Sequence, residues 1–321
     1  MIRFQRVGAD AVGEWDAFLD GPTDGTLFHR LSFLSYHPEG RFHVHWLEAR
    51  RDGRLIAVLP AAAEEEPDGR ALGSPYGGSF GGFAAGSIGP VAHQELLTAL
   101  VSHAREAGFR RLWLSSRPAP YRIHGEGAEF ALAAAGGTIT AREVTHVADL
   151  RGGEEAVRAR IRGTSRRGAR KAERIGTTVR RGGRADLDAF WAVLAEDRGR
   201  LGATPTHTAA ELHDLFTRRP DDFRLWVAEN GGRIVGGKLV FVATPRIALG
   251  FYTARLAVDE AERCANLLTE RAMLELAAEG FEFLDYGTST LRGELLPGLS
   301  EFKEGFGGLA FLRETWRLDL D

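Results

Sequence analysis

Residues 280–308 read GFEFLDYGTSTLRGELLPGLSEFKEGFGG. The stretch begins as a buried strand that ends at Asp285-Tyr286-Gly287, and a loop of small residues follows. A connection broken by glycine and proline then leads to the cluster Glu301–Gly307, which holds one lysine between aromatic residues and glycines. A carboxylate and a phenol at a strand end, followed by such a lysine, is typical of functional sites on α/β scaffolds. The alternative interpretation is a strand end followed by a phenylalanine-anchored turn with a solvated Lys303.

The composition is that of a soluble globular protein. A chain of 321 residues suits about two domains, and its hydrophobic and charged fractions of 44% and 26% are ordinary. The single cysteine, Cys264, excludes an intrachain disulfide and a cysteine-based metal cluster. It fits a reducing compartment, so we expect a cytoplasmic protein. We also expect neither a signal peptide nor a membrane-spanning segment, since no run of about 18 apolar residues occurs.

The two halves of the chain repeat one order of elements. Three pairs of landmarks recur at offsets of 172, 179 and 172 residues: Asp16-Ala17-Phe18 with Asp188-Ala189-Phe190, Gly53-Arg54 with Gly232-Arg233, and Gly108-Phe109 with Gly280-Phe281. A near-constant offset with matching element types indicates two copies of one α/β unit. We therefore predict two tandem domains, residues 1–150 and 151–321, each a mixed, twisted sheet flanked by helices.

Several elements have clear local signals. In the second half we predict a strand at Leu225–Glu229, its hairpin partner at Ile234–Val242 and a helix at Ala265–Ala278 that stops at a glycine. In the first half we predict one return strand over Leu55–Ala62 and a long glycine-rich loop over Ala71–Gly89.

The join between the halves is strongly basic. Residues 151–184 contain twelve basic residues and three acidic ones, for a local net charge of +9. A single-sign surface of this density attracts polyanions, and its few aromatic residues favour phosphate contact over base stacking. We predict that Arg166, Arg167, Arg170 and Lys171 contact tRNA or other phosphates. The alternative is an exposed helical segment whose arginines pair with acids elsewhere.

Three other features of the sequence give weaker indications of function. Gly77–Gly81 matches G-x-S-x-G but lacks the preceding strand and following helix of a hydrolase elbow, so we do not predict a nucleophile there. His43 and His45 share a strand face, yet no third ligand lies at a recognisable spacing, and we expect no metal. Tyr76 lies in a loop where glycines allow a ligand to approach the backbone closely.

Read together, five stretches resemble one known family. They are Ser74-Pro75-Tyr76-Gly77-Gly78, Arg166–Ala172, Arg198-Gly199-Arg200-Leu201-Gly202, Leu284-Asp285-Tyr286-Gly287 and Phe302–Gly307. The chain resembles, over nearly its whole length, the Fem family of peptidoglycan-bridge aminoacyltransferases and their acetyltransferase-like relatives. The resemblance implies two tandem copies of the GNAT acetyltransferase fold, with an acceptor-side first domain and a donor-side second domain.

The resemblance also implies site residues. Phe302 and Lys303 would line the reaction site, with Lys303 stabilising developing negative charge or the donor's phosphates. Arg200 and the Tyr76 loop would help to hold the acceptor. We further predict Tyr252 and Tyr286 as substrate-binding residues, and Asp285 as a group that orients the attacking amine or removes its proton.

Two departures from the family's pattern bear on the donor. The segment Glu262–Leu268 has no glycine where acetyl-CoA users of this fold carry a glycine-rich pyrophosphate loop, which disfavours a standard CoA site. The long coiled-coil arm of some Fem proteins is also missing, since no sustained heptads occur. Both leave room for a smaller acceptor or a different donor.

The predicted reaction is aminolysis of an activated acyl group, which forms an amide bond. We expect an aminoacyl-tRNA as donor and a cell-wall precursor or small amine as acceptor, with no bound cofactor, and a monomer or weak dimer. One alternative is N-acylation from acyl-CoA or an acyl carrier protein. A second, from another class, is a non-catalytic protein that binds anions through the basic join.

Overall fold

The computed structural model of the protein describes residues 1–320, and the chain divides into two compact units. Unit 1 comprises residues 1–143 and 312–320, and unit 2 comprises residues 144–311. The sequence places the domain boundary at residue 150 and assigns everything after it to the second domain. In the structure the segment from residue 312 lies in unit 1, because its strand pairs antiparallel with Phe109–Ser115.

Unit 1 begins with a strand and a helix and continues through several short strands. Its elements are β1 (Ile2–Arg6), α1 (Val12–Leu19), α2 (Leu31–Leu34), β2 (His43–Val44), β3 (Leu47–Arg51), β4 (Arg54–Leu59), β5 (Ala62–Glu66), β6 (Gly69–Ser74), β7 (Ala84–Ala85), α3 (Pro90–Glu106), β8 (Phe109–Ser115), α4 (Gly127–Ala134) and the first residues of β9 (Thr138–Asp149).

The strands of unit 1 form two sheets. One has the order β1-β3-β4-β7, and the other joins β8, β6, β5 and β2 in that order. The predicted return strand Leu55–Ala62 is wrong as a single element, because Pro60 lacks the N–H that a continuing ladder needs, and the chain passes there from one sheet to the other. β6 overlaps the start of the predicted loop Ala71–Gly89, and the short strand β7 lies within it, so the loop is shorter than predicted.

Unit 2 contains the remaining elements. They are the end of β9, α5 (Gly153–Arg160), α6 (Gly163–Arg174), β10 (Thr178–Gly182), α7 (Leu187–Arg200), α8 (Ala209–Arg218), β11 (Phe223–Asn230), β12 (Arg233–Val242), β13 (Ile247–Arg255), α9 (Cys264–Ala278), β14 (Phe283–Thr288), β15 (Thr290–Leu291), β16 (Glu294–Leu295), α10 (Pro297–Glu304) and β17 (Gly308–Asp319), whose last residues belong to unit 1.

The main sheet of unit 2 has the order β10-β11-β12-β13-β14-β9, and only β13 and β14 pair in parallel within it. Two adjacent glycines on β12 show how helices cover it. A Cβ at Gly236 would strike Cys264 of α9, and a Cβ at Gly237 would strike Phe190 of α7. Since successive residues of a strand point to opposite faces, α9 and α7 cover opposite faces of the sheet. The predicted mixed α/β class is confirmed.

The predicted hairpin of unit 2 is observed as β11 and β12, and the predicted helix Ala265–Ala278 as α9. The sequence missed α10, which it described as a broken connection and a compact cluster. α10 begins at Pro297, whose missing N–H costs nothing at the first helical position, and it carries Lys303 in its last turn.

Candidate functional site

Strands β13 and β14 separate at a defined point in unit 2. They pair only through Ile247–Leu249 and Phe283–Asp285. Past this point β13 shifts its register against β12 between Leu239 and Val240, so that Phe251 is an extra residue on β13. β14 instead turns at Gly287, whose φ of +75° favours glycine. The separated strand ends leave backbone groups outside the β13–β14 ladder. The buried side chains of Lys238, Asp285 and Lys303 lie at this point.

Lys303 lies at this opening. Its side chain is buried, with 5% exposed, and its Nζ donates hydrogen bonds to the carbonyl oxygens of Gly287 at 2.7 Å and Thr288 at 2.5 Å. Burial lowers the pKa of Lys303 to about 8, while the charge of Asp285 acts in the opposite direction. Lys303 is therefore a buried cation held by main-chain carbonyls, and the alternative of a solvated lysine is wrong.

Asp285 supports the same turn. It is 1% exposed, and its Oδ1 accepts hydrogen bonds from the Thr145 hydroxyl and from the N–H of Gly287. The carboxylate thus fixes the backbone that presents carbonyl oxygens to Lys303. The structure brings the two predicted catalytic residues, Asp285 and Lys303, to opposite sides of one glycine turn.

Lys238 was missed by the sequence analysis. It lies in the middle of β12, is 3% exposed, and its Nζ donates to the Thr253 hydroxyl at 3.0 Å. The Nζ also lies 5.6 Å from the centre of the Tyr286 ring. Burial, and then the like charge of Lys303, lower the pKa of Lys238 to about 7. A lysine inside the apolar run VGGKLVFV was the signal that the sequence offered.

A chain of side chains holds α10 beside β9 and the loop after β14. The imidazole of His146 lies 2.9 Å from the Ser289 hydroxyl and 3.1 Å from the Ser300 hydroxyl, which donates to Glu304. Burial and the charge of Lys303 lower the pKa of His146. This network fixes the last turns of α10 and therefore the position of Lys303.

The other predicted substrate-binding residues of unit 2 have partners within it. The Tyr286 hydroxyl donates to the carbonyl oxygen of Phe306 at 3.0 Å, and the Phe302 ring packs on that of Phe306. The Tyr252 hydroxyl accepts from the N–H of His207. Arg200 is exposed at the end of α7 and donates to the carbonyl oxygen of Arg255. Tyr286 is at the opening, where its hydroxyl secures the turn after α10.

Tyr76 lies in unit 1, in the loop after β6. Its hydroxyl accepts a hydrogen bond from the Trp46 indole N–H, and burial raises its pKa well above the ordinary value of a tyrosine. The two histidines considered for a metal also lie in unit 1, where the Nε2 of His45 is 3.2 Å from the Nε2 of His103.

The basic join is divided between paired and exposed charges. Seven of its twelve basic side chains form ion pairs: Arg151, Arg158, Arg160, Arg162, Lys171, Arg180 and Arg181. For these the alternative of pairing with acids is confirmed, and it includes the predicted phosphate contact Lys171, which lies 2.6 Å from Glu262.

α6 carries four of the five basic residues that remain, and the fifth is Arg184. Arg166, Arg167, Arg170 and Arg174 are exposed and fall within one sector of about 100° of the helix. None of the four forms an ion pair with any residue between 1 and 320. The opposite face of α6 is buried through small residues that pack on α9. The four residues, here called the arginine face, therefore form a separate cationic surface.

α6 covers the first turn of α9, where the sequence lacks a glycine-rich loop. A Cβ at Gly168 would lie 2.8 Å from the Asn266 side-chain nitrogen, and Asn266 is 8% exposed. Cys264 beside it is fully buried, and burial raises its pKa to about 12. The close contact leaves little space for a pyrophosphate at this helix end.

Residues 158–304 match the family model described as an acetyltransferase (GNAT) domain. The matched region contains Lys238, Asp285 and Lys303 and the separated ends of β13 and β14. Unit 2 is thus a transferase domain of the GNAT type, which confirms the predicted fold and the predicted class of enzyme.

Solved structures extend the likeness to both units. The chain is similar to FemX over 99% of its own length and 97% of that protein, with a TM-score of 0.74 and 14% identity. It is similar to the C-terminal domain of a putative lysylphosphatidylglycerol synthetase from Agrobacterium fabrum over 96% and 92%, with a TM-score of 0.61 and 15% identity. A tandem GNAT protein from the clavulanic acid biosynthesis pathway matches over 100% and 99%, with a TM-score of 0.57 and 15% identity.

These likenesses establish a tandem GNAT fold shared with FemX, and they confirm the predicted resemblance to the Fem family in fold. No curated protein sequence is significantly similar to the chain. Within residues 1–320, none of the helices combines the length and the apolar character that crossing a bilayer requires.

Proposed function

We propose that the protein forms an amide bond by aminolysis of an activated acyl group. The donor is an aminoacyl ester at the 3′ end of a tRNA, and the acceptor is an amine on a cell-wall precursor or a small molecule. The observation that carries this proposal is the buried ammonium of Lys303 at the point where β13 and β14 separate.

The proposed role of Lys303 follows from its hydrogen bonds. The amine nitrogen attacks the acyl carbon, and the carbonyl π electrons move to oxygen to give a tetrahedral oxyanion. The C–O bond to the ribose then breaks, and the leaving oxygen takes up the proton that the amine loses. An ammonium group has three donors, and only two of those of Lys303 are directed at described carbonyl oxygens. The third is suited to the oxyanion, where one good donor in a dry site contributes about 2.7–4 kcal/mol.

Asp285 has a supporting role in this proposal. Its carboxylate holds the Gly287 turn and its charge favours the protonated form of Lys303. An activated ester reacts readily with a well-placed amine, so proximity replaces much of the need for a strong base. Phe302, Tyr252 and Arg200 of unit 2 are proposed to contact the acceptor, and a role of Tyr76 stays a prediction from the resemblance to the Fem family.

Two observations favour a tRNA as donor. The arginine face of α6 offers four exposed guanidinium groups on one side of the helix, and phosphate contacts dominate the affinity of such complexes. The first turn of α9 is covered by α6, which disfavours the pyrophosphate of CoA there. The acetyltransferase family model favours the second candidate, N-acyl transfer from acyl-CoA or an acyl carrier protein. A reducing cytoplasm, where charged tRNA occurs, is the compartment that we propose.

The deciding experiment compares donors. The protein is incubated with a mixture of charged tRNAs or with acetyl-CoA, each with a panel of amines, and donor consumption is followed together with the mass of the product. We expect amide formation from charged tRNA and no consumption of acetyl-CoA. Acetylation from acetyl-CoA would establish the second candidate. Tight, salt-sensitive tRNA binding without turnover of any donor would show a binding protein instead.

A further inference from the structure

The chain contains very little lysine. Only three of its 41 lysine and arginine residues are lysines, namely Lys171, Lys238 and Lys303. Lys171 is exposed and pairs with Glu262. The other two are buried, at 3% and 5% exposure, in the same part of unit 2. Two of three lysines therefore lie together inside a protein that otherwise uses arginine.

Lysine and arginine differ in how readily they lose a proton. Arginine stays charged under all ordinary conditions, whereas the ammonium of a buried lysine readily loses its proton. Two permanently charged groups at neighbouring buried positions would repel each other at every pH, because neither could lose its charge. Two lysines can relieve the repulsion, because one of them can become neutral.

The geometry places both amines around one pair of glycines. A Cβ at Gly250 would lie 3.4 Å from the Nζ of Lys238, and a Cβ at Gly287 would lie 3.6 Å from the carbonyl oxygen of Gly250. The Nζ of Lys303 donates to the carbonyl oxygen of Gly287. The contact between β13 and the turn of β14 thus has Lys238 on one side and Lys303 on the other.

The groups around Lys238 supply no countercharge to it. Its partner on β13 is the neutral Thr253 hydroxyl. From β14 it faces the ring of Tyr286, and burial raises the pKa of that phenol well above its ordinary value, so the phenol is neutral. α9 contributes Cys264 near Gly236 on the same strand, and burial raises the pKa of its thiol too. From α10 the charge of Lys303 acts on it, and the charge of Asp285 acts on Lys303.

We propose that Lys238 is a positioning residue which, with Lys303, holds a single positive charge at mildly alkaline pH, so that Lys303 is the cation and Lys238 the neutral amine. The lowered pKa values of both residues, with that of Lys238 the lower, agree with this order. By losing its proton first, Lys238 leaves the positive charge on Lys303, where the proposed reaction needs it. Only this consequence for the reaction rests on the proposed function, since the sharing of charge does not depend on turnover.

The sharing of charge can be measured directly. Protein labelled with ¹³C at the lysine Cε carbons gives three side-chain signals, and exposed Lys171 provides the internal reference. We expect Lys238 and Lys303 to titrate below Lys171. Lys238 should titrate about one pH unit higher in Lys303→Met, whereas Lys303 should titrate at nearly its wild-type pH in Lys238→Met, because Lys238 is already neutral when Lys303 loses its proton. Titration of Lys238 together with Lys171, or an unchanged Lys238 signal in Lys303→Met, would overturn the proposal.

A rate measurement tests the consequence for the reaction. With whichever donor the wild type consumes, transfer should decline at alkaline pH as Lys303 loses its proton. Lys238→Met, which is also neutral, should leave the pH of this decline nearly unchanged, whereas Lys238→Arg, which keeps a permanent charge, should move it to lower pH. A purely structural role would lower the rate without a shift of the decline to lower pH in Lys238→Arg, and that result would overturn the inference. If the wild type consumes no donor, the proposed function fails while the titration still decides whether the lysines share a charge.

Discussion

The Nζ of Lys303 lies 2.7 Å from the carbonyl oxygen of Gly287, and the N–H of that same glycine donates to the carboxylate of Asp285 at 2.8 Å. One residue with a positive φ therefore connects the ammonium of Lys303 and the carboxylate of Asp285 through its two backbone groups. The ammonium is held by the main chain and is not paired directly with the carboxylate, so its positive charge remains available to a ligand.

Replacement of Lys303 by methionine should abolish most of the transfer activity. Methionine fills a similar volume but cannot donate to an oxyanion, so we expect kcat to fall by about 10²–10³-fold. The measurement is initial-rate kinetics with the consumed donor. The exposed Arg233→Met is the matched control, and retained far-UV circular dichroism would show that the variant folds. An activity within threefold of the wild type would remove Lys303 from the site.

Neutralising the arginine face should weaken tRNA binding. In the triple variant Arg166→Gln, Arg167→Gln, Arg170→Gln we expect a lower affinity and a salt dependence reduced by about two to three units of slope, one per lost phosphate contact. The measurement is fluorescence-anisotropy titration with charged or uncharged tRNA at several salt concentrations.

The control for this experiment removes the same charge elsewhere. Arg3, Arg54 and Arg233 are exposed, and changing all three to glutamine should leave the slope nearly as in the wild type. Equal losses in the two triple variants would show that only the overall charge matters.

Replacement of Lys238 by methionine should stabilise the protein in a pH-dependent way. The pKa of Lys238 is about 7 in the folded chain and about 10.4 for a lysine in the unfolded one. Between these values the unfolded chain binds the additional proton, so the wild-type free energy of unfolding rises with pH by on the order of 1 kcal/mol per unit. The gain in melting temperature of Lys238→Met should therefore be largest at pH 7 or below and shrink toward pH 10.

Differential scanning calorimetry of both proteins from pH 6 to pH 10 checks this, and Lys171→Met serves as the control at an exposed, paired lysine. A gain in melting temperature that stays constant from pH 6 to pH 10 would mean that folding does not lower the pKa of Lys238.

The contact between α6 and α9 should be sensitive to one methyl group. A Cβ at Gly168 would come within 2.8 Å of the buried Asn266, so we expect Gly168→Ala to cost about 1–3 kcal/mol in stability. Gly199 on α7 has no atom within 4 Å of the same added Cβ, and Gly199→Ala should instead stabilise the helix by about 0.5–1 kcal/mol. Urea denaturation of both variants gives the comparison, and equal effects at the two positions would contradict the packing described.

Local chemistry explains what could be predicted from the sequence. The turn signal Asn230-Gly231-Gly232 sets the hairpin β11–β12, and apolar periodicity with a terminal glycine sets α9. Asp285 could be proposed from the end of its strand, and Lys303 from its position between aromatic residues and glycines and from the resemblance to the Fem family. The helix α10 escaped prediction because Pro297 and Gly298 open it, and both are ordinarily signals of a break.

The sequence by itself determined the order of most elements, the presence of two similar halves, a carboxylate at a strand end, and a lysine set among aromatic residues and glycines. Tertiary structure alone decided that Lys238 and Lys303 share a buried site, and that seven of the twelve basic residues in the join pair with acids while the arginine face stays exposed. The physical reason is that charge and burial depend on which residues meet across the sheet. Lys238 and Lys303 are far apart along the chain, and no local pattern encodes that meeting.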